Sequence, residues 1–161
     1  MMIEPSKLTL NDVQTLIEAE KNPEFPLEYR DVYNQIVNSF IHLAGKYKCT
    51  VIDRSRDVVY KLMILCTPIK TKFSISLMFS ESHYHLIRFD FGEDLRHINN
   101  YHSDNEKEIL GSHVHLNAPP GKHNAKNVIP ISSIDEFKNI KIIKDAFLEF
   151  IKYTNIKDEK R

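Results

Sequence analysis

Residues 72–80, KFSISLMFS, alternate without a break: Phe73, Ile75, Leu77 and Phe79 fall on one side of an extended chain, and Ser74, Ser76 and Met78 on the other. Successive strand side chains point to opposite faces, so the run predicts a strand with one buried face. The neighbouring runs KCTVI, VVYKLMILC and HYHLIRFDF are rich in β-branched and aromatic residues, and RSRD, TPIK and SES between them have turn composition. An antiparallel meander follows. After the polar excursion HINNYHSDNEKE, the segment GSHVHLN reads as one more strand, which makes a sheet of about five strands.

Helical periodicity flanks this region. Thr9 and Asp12 form a capping box ahead of Val13, Leu16 and Ile17, and NPEFP must stop that helix. From Tyr29 the apolar positions Val32, Tyr33, Ile36, Val37, Phe40 and Ile41 predict a second, longer helix, with Gly45 as a left-handed C-terminal cap. Ser133 and Glu136 offer another capping box before Phe137, Ile143, Phe147 and Phe150, which predicts one broken or two consecutive helices. The fold class is therefore α+β, a small antiparallel sheet flanked by N-terminal and C-terminal helices. The expectation is one domain over 1–161, with a helical part at 1–45, the sheet at 46–131 and C-terminal helices at 132–161.

At 161 residues and 42% hydrophobic content the chain can bury an ordinary core. Lys plus Arg and Asp plus Glu each number 22, so the net field gives little help in capturing polyanions. No basic-then-apolar leader and no run of about 18 apolar residues occurs, so the expected location is cytoplasmic, without membrane association. Cys49 and Cys66 lack any CxxC or zinc-ribbon spacing and read as reduced thiols. Neither a P-loop, a GxSxG nor a GxGxxG is present.

Seven of the eight histidines lie between His83 and His123, and two His-x-His-Leu tetrapeptides stand 30 residues apart. Strand parity separates them. Ile87, Phe89 and Phe91 must form the buried face of their strand, because the alternative buries Arg88 and Asp90; His83 and His85 then share the core side at its start, where polar residues fray into solvent. Val114 and Leu116 want the core, which turns His113 and His115 to the face of Arg88 and Asp90. If the two strands are neighbours, Arg88, Asp90, His113 and His115 meet, and His97 lies on the intervening loop in position to close over them. The competing expectation is an exposed ion pair beside a solvated histidine face.

Two chemistries suit this set. His113, His115 and His97 supply three nitrogens, a catalytic-zinc set that leaves a position for water, with Asp90 as an alternative third ligand. Without a cofactor, His113 and His115 can serve as acid and base in phosphodiester cleavage, with Arg88 clamping the phosphate and Asp90 fixing a tautomer. A histidine-triad hydrolase would need a third alternate His, and position 117 is Asn; the cupin motif needs a Glu that LNAPPGKHNAKN lacks. PPGKHNAKN reads as a loop whose Lys122, His123 and Lys126 either touch phosphates or form a solvated turn.

The ordered series Arg88-x-Asp90, His97-x-Asn99, His113-x-His115, with Gly111 before the last pair, resembles a family of small uncharacterised bacterial and phage proteins. It is more distantly similar to the toxin of TumE-type toxin–antitoxin pairs. The resemblance spans about residues 47–131 and departs at Asn100, where the pattern has Pro, and after His115, where it has an acidic residue. It implies an RNA-directed, nuclease-like protein of a toxin–antitoxin or phage conflict system, with RNA or an antitoxin as partner. The rival expectation is a non-catalytic phage or mobile-element protein that binds and inhibits a host defence protein; the third is a His-ligated metalloenzyme.

Overall fold

Asp12 N donates to Thr9 Oγ1 and Thr9 N to Asp12 Oδ2, closing the capping box that starts helix α1 (Leu10–Glu18), which buries Val13, Leu16 and Ile17. The computed structural model describes residues 2–121 and 126–158, so Lys122 and His123 lie outside the described residues. The chain leaves α1 through the two-residue strand β1 (Asn22–Pro23) and enters α2 (Pro26–Tyr33) with Pro26 in the first turn, where its missing N–H costs nothing. A π-helical turn (Asn34–Asn38) ends this helix. The predicted continuation to Ile41 and the cap at Gly45 are therefore corrected: Phe40 and Ile41 are exposed, and Gly45 opens strand β2.

The strands β2 (Gly45–Asp53), β3 (Val58–Cys66), β4 (Phe73–Phe79) and β5 (His85–Phe91) form the expected meander, each pair antiparallel. Strand β8 (His113–Ala118) pairs with β5, and β9 (Val128–Pro130) with β8. The sheet has seven strands in the order β1-β2-β3-β4-β5-β8-β9, more than the five expected. The additional strands β1 and β9 have two and three residues, too short for a period-two signal to register. Between β5 and β8 the supposed polar excursion is a hairpin of its own, β6 (Arg96–Asn99) with β7 (Lys107–Leu110). Its two ends are stitched together where Gly92 N donates to Ser112 Oγ at 2.9 Å.

One face of the sheet carries the core, with Val51, Leu62, Ile75, Phe89 and Val114 fully buried. Helix α3 (Ile143–Tyr153) seats Phe147 and Phe150 there, and Phe150 and Phe137 pack against Phe89 at centroid distances of 5.6 and 4.3 Å. The C-terminal part has a single α-helix, preceded by a 3-10 turn (Ile131–Ser133) and further turns to 139, and no side chain caps α3, whose N-terminal flank is Ile142. Phe137 is buried from a turn rather than from a helix.

Lys21 joins the two ends of the molecule. Fully buried, its ammonium donates to the carbonyls of Ile17, Ala19 and Thr154 at 3.0, 2.7 and 2.9 Å, closing the C-termini of α1 and α3 with one cation. Burial pulls its pKa down to about 7, against the opposing pull of Asp53. Among the described residues, no helix is long and apolar enough to cross a membrane.

Candidate functional site

The β5–β8 register places Arg88 opposite His115 and Asp90 opposite His113, on the face away from the core. Arg88 Nε donates to Asp90 Oδ1 at 2.6 Å and Ser74 Oγ, from β4, to the same oxygen at 2.7 Å. His115 Nε2 donates to Asp90 Oδ2 at 3.1 Å, and His113 Nε2 stands 3.6 Å from that oxygen. One carboxylate thus organises three strands. Burial alone would raise the Asp90 pKa, but hydrogen bonding to the two histidines and the Arg88 charge outweigh it and hold the carboxyl well below the usual range.

The hairpin delivers the fifth residue. His97, on β6, brings its ring to 5.7 and 5.5 Å from the rings of His113 and His115. Its Nε2 lies 2.8 Å from the Lys126 carbonyl, and since a carbonyl only accepts, this nitrogen carries the proton. By the same reasoning His113 Nδ1 donates to Gly111 O at 2.9 Å. Gly111 has φ 82, a conformation that suits glycine and aims that carbonyl. Burial lowers the His97 pKa despite the Lys126 carbonyl. For His113, burial acts in the same direction but Asp90 and the Gly111 carbonyl prevail, and its pKa rises.

All five sequence-predicted residues, Arg88, Asp90, His97, His113 and His115, therefore converge. The solvated alternative fails, because the hairpin covers the rings and leaves His97, His113 and His115 only 6%, 4% and 3% exposed. His83 is exposed at φ 62, as fraying implies, whereas His85 is buried as the first residue of β5 and lies outside the cluster. Lys126 contributes its main-chain carbonyl, while its ammonium donates to Asn117 O.

Ser74 escaped the sequence reading, and Asn99 stood in the motif series without a role. Ser74 shares the parity of Asp90, a signal that was present but unused. Asn99 clamps the hairpin: its Nδ2 donates to Val128 O and its Oδ1 accepts from Val128 N, both at 2.8 Å, fixing β6 against β9.

The three histidines each offer one ring nitrogen within 4.8 Å of the others. A tetrahedral ion holding nitrogens at about 2.0–2.1 Å would need each to move inward by less than about 1 Å. Each ring is also held by an oxygen acceptor, on Lys126, Gly111 or Asp90, the outer arrangement that orients ligating histidines.

Comparison with known proteins matches residues 8–156 to a family of unknown function, DUF6978. The chain belongs to this family. The matched span covers every strand of the sheet and the whole cluster, so hairpin and histidines lie within the family's common region. No curated protein and no solved structure matches the chain.

Proposed function

We propose that the chain is a nuclease-like hydrolase of phosphodiesters whose His97, His113 and His115 hold a divalent transition metal ion. The observation that carries this reading is the convergence of three ring nitrogens within 4.8 Å, every ring anchored from outside by an oxygen. Three histidines leave a coordination position for water, whose pKa the ion lowers. Bound there, the ion would supply a water activated for cleavage of an ester P–O bond, with the water's proton leaving on the departing oxygen. Arg88 meets Asp90 through Nε, so its two terminal nitrogens face no described acceptor and suit a bidentate grip on a phosphate. Asp90 holds Arg88 and His115 in place and stays ionised. The resemblance of the series Arg88-x-Asp90, His97-x-Asn99, His113-x-His115 to that of toxin-like proteins supports the same reading.

Metal content tests it. Purified untagged protein should contain near-stoichiometric zinc or a similar ion, and the His113→Ala/His115→Ala double variant should contain none and lose about 10²- to 10⁴-fold in cleavage rate. Absence of metal from both, with cleavage still dependent on His113, would replace the ion by acid/base catalysis around Asp90, which both histidines approach.

A second reading, a non-catalytic inhibitor that docks on a protein partner, draws on the exposed apolar residues Phe40, Ile41 and Leu43 beside the π-helical turn. Its action would survive the histidine changes and fail in a Phe40→Ser/Ile41→Ser variant.

A further inference from the structure

The polar face of the sheet extends well beyond the histidines. Reading across the strands at the level of His115, the residues are Lys48, Met63, Ser76, Arg88 and then His115. The adjacent row runs Lys46, Leu65, Ser74, Asp90 and His113, and Lys61 lies one step from Met63 on β3. At about 4.8 Å per strand, Lys48 and His115 stand roughly 19 Å apart on one continuous surface. The hairpin covers only the β8–β9 end of this face.

The charge on this surface is one-sided. The outward positions of β2, β3 and β4 carry Lys46, Lys48 and Lys61 and no carboxylate, and the one acid on β5, Asp90, is taken up by Arg88, Ser74 and His115. No described ion pair involves Lys46, Lys48 or Lys61, as is also true of Lys70, Lys107, Lys141, Lys144 and Lys152 elsewhere; Lys61 Nζ donates to the Thr50 hydroxyl at 2.8 Å. Lys46 and Lys48 are exposed, and so is Leu65, at 46%. A chain of zero net charge thus presents three lysines and no carboxylate on the outward positions of the strands that lead to its buried cluster.

We infer that this lysine-lined face binds one strand of nucleic acid and feeds it towards Arg88 and the histidine cluster. Charge complementarity selects a polyanion, and the breadth of the cationic surface calls for a chain of phosphates rather than a single one. The apolar side chains of Met63 and Leu65, opposite Lys48 and Lys46, offer an uncharged contact for exposed bases, which a duplex keeps inside its stack. The inference rests on the phosphodiester reading for the direction of the strand, but binding is measured separately from cleavage.

The test is fluorescence anisotropy with a labelled twelve-nucleotide uridine oligomer, its deoxy counterpart and a duplex of the same length, at 50 and 200 mM salt. The proteins are wild type, Lys46→Glu/Lys48→Glu and His113→Ala/His115→Ala. Wild type should prefer single strands to the duplex. The lysine variant should bind at least about tenfold more weakly, with a salt slope shallower by about 1.4 for two lost phosphate contacts, and with unchanged thermal midpoint and metal content. The histidine variant should keep its binding, so loss of cleavage there speaks only to the hydrolytic centre. Preference for the uridine oligomer over the deoxy strand names RNA; equal binding leaves either sugar. Wild type that binds no strand at 50 mM salt, a preference for the duplex, or undiminished binding by the lysine variant overturns the inference.

Discussion

Asp90 is the residue on which the cluster depends, and its ionisation gives a prediction with a definite sign. A carboxyl held below its ordinary value near 3.9 contributes stability above that value and loses it as pH falls. In chelator-treated protein, stability from urea denaturation should drop by about 1.4 kcal/mol per pH unit below about pH 4 on account of this group. Asp90→Asn should start lower at neutral pH and show a flatter acid limb; a parallel limb would mean that Asp90 contributes nothing to acid stability. Lys21 gives a second test at this scale. Lys21→Met keeps an unbranched apolar stem but strands three carbonyls, and should cost about 2–4 kcal/mol, read from the same denaturation curves. The placement of Asp90 was legible because Phe89 and Phe91 leave its parity no choice. Lys21 was not, because nothing in AEKNP distinguishes a buried lysine from a solvated one.

At the level of elements, the long alternating strands were readable and the short ones were not. KFSISLMFS has enough turns of the pleat to declare its faces, while β1 and β9 owe their conformation to the partners they pair with. The hairpin was hidden for a related reason. HINNYHSDNEKE is polar because β6 and β7 make a small two-stranded ribbon, with Ile109 buried and His97 turned onto the main sheet. The end of α2 was misread because Phe40 and Ile41 continue its apolar period without having anything to pack on. The Asn99 clamp yields a prediction here. Asn99→Ala removes both hydrogen bonds to Val128 and should weaken metal affinity about 10- to 100-fold by loosening His97, with little change in the fold, as seen in competition with a chromogenic chelator. Unaltered affinity would show that β6 is positioned by other contacts.

For the molecule as a whole, the two chain ends are interdependent. Lys157 N donates to Lys21 O, Asn22 Nδ2 donates to Lys157 O, and Arg30 pairs with Asp158 at 2.9 Å, while Ile156 is buried. Ending the chain at Tyr153 removes these contacts and one of the three acceptors of Lys21. A thermal midpoint lower by about 10 °C is expected, several kcal/mol at roughly 2–4 °C for each. A shift of under about 2 °C would show the tail to be dispensable.

Because β5 and β8 are direct neighbours, the twenty or so residues between them are a detour whose two ends meet at Gly92 and Ser112. Such an excursion is a cassette. A change of length within it leaves the β5–β8 register untouched, while the segment still brings His97 to His113 and His115. The environment of His113 and His115 can therefore be altered through this one segment without rebuilding the scaffold that carries them.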